Sequence, residues 1–108
     1  MSLDEYQKQI DKILQAYEKP YWEPLSQLAR LSEEVGEVAR ILNHRFGDKP
    51  MKPDETLEDI GDELADVIYT AIAIANNLGI GLDAPLLRSI AKLETRDVGR
   101  FKKKSQLE

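Results

Sequence analysis

Cysteine is missing from all 108 residues. That excludes disulfide staples, thiolate-bound metals and cysteine nucleophiles, and it suits a reducing compartment, so the chain is expected in the cytoplasm. Histidine is almost as scarce. His44 is the single one, and Ile41 stands three positions before it. The Glu-x-x-His pairs of ferritin-like di-iron bundles are therefore lacking. No apolar run approaches the roughly 20 residues of a membrane-spanning helix. The opening Met1-Ser2-Leu3-Asp4-Glu5 turns acidic at once and does not read as a leader. Excess positive charge is lacking too. The net charge is −5, so neither nucleic acid nor a membrane is an expected partner. No strand-like alternation and no internal repeat is visible.

What is present is apolar enough to fold. Hydrophobic residues make up 42% of the chain, consistent with one small domain over 1–108. The charge is sorted. Segments 33–37 and 54–66 hold 10 of the 20 acidic residues, whereas Arg88, Lys92, Arg96, Arg100 and Lys102 to Lys104 are 7 of the 15 basic ones.

Four helices are predicted, and short connections between them favour antiparallel neighbours, hence an all-α, four-helix bundle-like domain. The first opens on a capping box, Ser2-x-x-Glu5, carries Leu3, Tyr6, Ile10, Ile13, Leu14 and Tyr17 on one face, and is expected to stop at Lys19-Pro20. The second starts near Pro24 and runs to about Phe46. Residues 47–53 contain two prolines and a glycine and read as a loop. The third keeps a helical period from Leu57 through Leu78 and ends at Gly79. Its second half, apolar on most sides, is expected to be buried against more than one neighbour. The fourth begins at Asp83-Ala84-Pro85, with Asp83 as its expected cap, and runs to about Val98. The domain then divides into an N-terminal helix (1–20), core helices (21–99) and a solvated tail (100–108).

The chemistry lies in two acidic signatures, Glu33-Glu34-Val35-Gly36-Glu37 and Glu63-Leu64-Ala65-Asp66. Residues three apart on a helix share a face. Two such faces brought together make a cage of hard oxygen ligands, suited to Mg²⁺ or Mn²⁺. Unneutralised, carboxylates about 4 Å apart repel by on the order of 4 kcal/mol at a near-surface dielectric. The bland alternative is a solvated acidic face. Gly36 and Gly61 beside the signatures imply close approach by a ligand or by another helix.

Arg88, Lys92, Arg96 and Arg100 recur at four-residue spacing and suit a phosphate tail, or equally a solvated face. Trp22 reads as a core anchor first and as a base-stacking surface second. Asn77 reads as a helix-end capping group or a base contact, and His44 and Arg45 as a surface polar pair.

At these residues the chain resembles the MazG-like nucleotide pyrophosphohydrolases, in the small single-domain branch of the all-α nucleoside triphosphate pyrophosphatase superfamily. The family pattern is Glu-Glu-x-x-Glu, a spacer, then Glu-x-x-Asp; here the gap is 25 residues. The flanks Tyr21-Trp22-Glu23-Pro24-Leu25, Asn43-His44-Arg45-Phe46-Gly47 and Thr95-Arg96-Asp97 extend the likeness. The resemblance implies hydrolysis of a nucleoside triphosphate to the monophosphate and pyrophosphate. It implies Glu34, Glu37, Glu63 and Asp66 as ligands of Mg²⁺, with Glu33 behind them or acting as the base. Those five residues form the implied catalytic set, and Lys92, Arg96, Arg100, Trp22 and Asn77 the candidate substrate contacts. A homo-oligomer, dimer or dimer of dimers, with sites completed across subunits, is also implied. Two alternatives stay open: a non-catalytic helical module binding a nucleotide or partner, and a related pyrophosphatase acting on phosphoribosyl-ATP.

Overall fold

A computed structural model describes residues 1–56 and 58–104. Among them are four helices and no strand: α1 (Leu3–Leu14), α2 (Pro24–Phe46), α3 (Ile60–Asn77) and α4 (Asp83–Thr95). The all-α class is as expected. None of these helices is long and apolar enough to cross a membrane.

The helix ends follow local chemistry. The Ser2–Glu5 capping box forms at the start of α1. The helix ends at Leu14, short of Lys19, because the Ala16 and Tyr17 amides fall back on the Ile13 and Leu14 carbonyls (3.3 and 3.1 Å). The chain then folds back, and the Tyr21 hydroxyl donates to Asp11 on α1. Burial, with that bond second, pushes the Tyr21 phenol up to about 12. The connection after α2 extends to Asp59, whose side chain accepts from Gly61 N–H and Asp62 N–H and so starts α3. Leu57, where the predicted stripe began, lies outside the described residues. Gly79 ends α3 with φ 70°, Ile80 N–H reaching Ala75 O (2.8 Å) and Gly79 N–H reaching Asn76 O (3.2 Å). Past Thr95 the chain turns rather than continuing helical to Val98.

The core is a seam between antiparallel α2 and α3. Its buried apolar side chains are Ile41 on α2 and Ile72, Ala73 and Ala75 on α3, so the second half of α3 is the buried half. Register is set by a polar bond: buried Gln27, near the start of α2, donates to the Ala73 carbonyl near the end of α3 at 3.1 Å. Helix α1 docks on the far end of α3 through buried Gln7. Its amide donates to Asn76 Oδ1 (3.1 Å) and Ile80 O (2.8 Å) and accepts from Leu82 N–H (3.0 Å).

Asp83 does not cap its own helix. Its two carboxylate oxygens accept from the Leu3 and Asp4 amides of α1, at 3.1 and 3.2 Å. The free amides of α1 and their positive dipole end outcompete the local cap. Beyond that tie, α4 packs along none of the other helices, and Leu87 and Leu93 on it are 66% and 62% exposed. The radius of gyration is 18.3 Å, against about 13 Å for a compact chain of this size.

Replacing Asp83 with alanine removes acceptors from two α1 amides. It is expected to lower unfolding free energy by about 1–2 kcal/mol in urea titration, the size of a lost helix cap.

Candidate metal centre

Antiparallel packing sets the middle of α2 beside the first turns of α3. There one oxygen each of Glu34, Glu63 and Asp66 lie within 4.8 Å of one another. Glu63 is buried and Glu34 half-buried. The donors are all carboxylate oxygens, a set suited to a hard divalent cation and to no soft metal. Two further residues of the acidic signatures stand apart. Glu37 Oε2 accepts from Arg40 Nε at 3.1 Å, and Glu33 is exposed.

Charge crowding is felt most at Glu63. Its carboxyl is pushed up to about 7, first by a hydrogen bond shared with Glu58, then by burial, then by the charges of Glu58, Asp66 and Glu37. Two carboxyls share such a bond only if one keeps its proton. Glu58 enters from the connection ahead of α3, and no spacing rule in the sequence marked it.

The glycines have different surroundings. A methyl group on Gly36 would meet nothing within 4 Å, so nothing in this chain presses on it. At Gly61 a methyl would lie 2.8 Å from Asp59 Oδ1, the oxygen that caps α3. Gly61 thus makes room for a cap.

One helical turn from the carboxylates is a cavity of about 340 Å³, lined in part by Tyr17, Tyr21, Trp22, Arg30, Tyr69 and Thr70. The Arg30 guanidinium sits 5.4 Å from the Trp22 ring centroid and 5.9 Å from that of Tyr69. Arg30 Nε is also 3.8 Å from Glu34 Oε1, so one side chain borders both the cavity and the acidic cluster. Trp22 is 51% exposed and is not a core anchor. Asn77 caps no helix; its amide donates to the Trp22 carbonyl (3.0 Å) and to Gln27 Oε1 (2.9 Å). Arg30 could have been found from its spacing, four before Glu34. Tyr69, three after Asp66, could have been found the same way.

The basic residues lie elsewhere. Lys92 is exposed on α4, and Arg96 and Arg100 follow it, 3.4 and 3.7 Å from Asp97. Helix α4 departs from beyond the end of α3 opposite the carboxylates. His44 is not a surface residue. Its side chain is 1% exposed, and Nε2 lies 3.0 Å from Glu55 Oε2.

A carboxyl raised in the folded state binds its proton more tightly there than in the unfolded chain. Its stabilising contribution is complete below the unfolded value and is lost as pH rises through about 7. The melting temperature of cation-free protein is therefore expected to fall between about pH 5 and pH 8. Glu63→Gln is expected to remove much of that fall.

Comparison with known proteins places the whole chain. The model of the MazG nucleotide pyrophosphohydrolase domain matches residues 23–101. YpjD of Bacillus subtilis (strain 168), described as uncharacterized, is 35% identical over 105 residues, covering 97% of this chain and 95% of that protein. The crystal structure of YpjD superposes with a TM-score of 0.77 over 88% of this chain and 97% of that one. The crystal structure of a Bacillus-conserved MazG protein, described as a nucleotide pyrophosphohydrolase, gives a TM-score of 0.67 at 29% identity, covering 100% of this chain and 97% of that one. With four helices, paired acidic signatures and a family match that spans its carboxylates, the chain belongs to the MazG nucleotide pyrophosphohydrolase family of enzymes.

Proposed function

We propose that this enzyme hydrolyses a nucleoside triphosphate, ribo- or deoxyribonucleotide, to the monophosphate and pyrophosphate, with Mg²⁺ as cofactor and Mn²⁺ as a substitute. One observation carries the reading: three carboxylates from two helices converge within 4.8 Å, and Arg30 joins them to an aromatic cavity. A phosphate chain needs the first feature and a base needs the second.

Glu34, Glu63 and Asp66 would hold the cation, with Glu37 completing the set. A bound divalent cation would neutralise phosphate charge and lower the pKa of the attacking water. Glu63 would release its proton to solvent on holding the cation, which would remove the crowding described above. Glu33 takes the proton of the water as its oxygen bonds to the α-phosphorus. The bond from that phosphorus to the bridging oxygen breaks, and pyrophosphate leaves with the electron pair. No protein nucleophile is needed, so rate comes from positioning and charge. Trp22 and Tyr69 offer faces for the base. Asn77 acts at one remove, by holding the Trp22 backbone.

The active form is a homo-oligomer, a dimer or dimer of dimers, in the cytoplasm. Support comes from α4, which exposes Leu86, Leu87, Ile90 and Leu93 and packs along no other helix of its own chain. A second copy covering that row would carry Lys92, Arg96 and Arg100 with it. The three then reach the phosphates of a neighbouring site.

A nucleotide panel scored for pyrophosphate, with and without Mg²⁺, is the direct test. Turnover is expected only with the cation, and Glu34→Gln and Asp66→Asn are each expected to abolish it while circular dichroism stays unchanged. No turnover of any nucleotide by the folded, cation-loaded protein would refute the reading. Sedimentation velocity is expected to give a mass that is a multiple of 12.3 kDa. Leu87→Glu is expected to shift it to the monomer with loss of activity.

A further inference from the structure

Glu37 is placed differently from the carboxylates it accompanies in sequence. Glu34, Glu63 and Asp66 each offer an oxygen to a common point, whereas Glu37 is drawn to Arg40. Arg40 has a second anchor. Its Nη1 lies 3.6 Å from Glu55 Oε2, in the connection between α2 and α3. Glu55 is itself seated. Its Oε2 and the Nε2 of buried His44 lie 3.0 Å apart, both closed to solvent, and neither makes a hydrogen bond among the described residues. The other ring nitrogen, Nδ1, meets the Lys49 carbonyl of the same connection at 3.2 Å. A buried imidazole faces a loop carboxylate, that carboxylate pairs in charge with a guanidinium, and the guanidinium donates to one oxygen of Glu37.

An isolated ion pair on a helix surface contributes little, because two long side chains must be ordered for a screened attraction. Arg40 differs. It meets carboxylates on two sides and is half-buried, with 29% of its side chain exposed. Its planar fork fixes the direction of the bond to Glu37. We propose that Arg40 is a positioning residue of the cation site: anchored by Glu55 and His44, it occupies one oxygen of Glu37 and leaves the other for a divalent cation. This rests on the cation-binding reading above. The loop between α2 and α3 thereby becomes part of the site without contributing a ligand through Glu55.

The sign of the effect separates this role from plain electrostatics. A bystander positive charge repels a divalent ion, so its removal would tighten binding. A residue that orients a ligand does the reverse, and its loss typically weakens metal binding about 10- to 100-fold. The measurement is calorimetric titration of Mn²⁺ into nucleotide-free protein. Arg40→Met is expected to raise the dissociation constant at least about tenfold, and Glu55→Gln to raise it through Arg40. The double variant is expected to be no weaker than Arg40→Met alone, because the two act in series. Arg40→Lys, which keeps the charge and loses the fork, is expected to weaken binding as well. It carries the test together with Glu55→Gln if Arg40→Met does not fold. Unchanged or tighter Mn²⁺ binding in folded Arg40 variants overturns the proposal and leaves the cation site standing. A wild-type protein that takes no Mn²⁺ overturns both.

Discussion

Everything chemical in this molecule depends on like charges being forced together by the α2–α3 seam. Glu34 is brought against Glu63 and Asp66 because Ile41, Ile72, Ala73 and Ala75 exclude water along that seam and because Gln27 is bonded to the Ala73 backbone near its other end. A shift of either helix by one residue would turn the carboxylates away from one another. Hydrophobic burial is non-directional. The buried amide bond is what selects the register, since leaving it unmade would strand polar groups in the core.

The carboxylate cluster is electrostatically crowded. The Glu63 carboxyl is pushed up to about 7, Glu37 is held by Arg40, and Glu34 lies near Arg30. Each is a way of quenching negative charge when no metal does so. In the proposed enzyme a divalent cation would relieve the crowding of Glu34, Glu63 and Asp66 while Arg40 stays on one oxygen of Glu37, and that relief would link cation binding to stability.

Much of this was legible in the sequence, because the signals were periodic or local. The Ser2–Glu5 box, Pro24 at the start of α2 and Gly79 at the end of α3 act within a few residues and stand where they were read. Other readings failed for non-local reasons. Asp83 looked like a cap for its own helix and serves α1, about 80 positions away in the chain. His44 looked exposed and is buried, because a loop folds over it and supplies Glu55. Trp22 looked like an anchor and is half exposed, since Arg30 covers only one part of its ring.

The sequence by itself determined the all-α class, the approximate helices and the pairing of carboxylates at three-residue spacing. All three follow from helical geometry, which repeats identically along the chain. Only the tertiary structure decided which carboxylates meet, that Glu37 is held by Arg40, that Glu58 crowds Glu63 and raises its pKa, and that α4 stands clear of the rest. Those outcomes come from competition among many partners for the same polar atoms. That competition is settled by distance in space, which residue spacing does not encode.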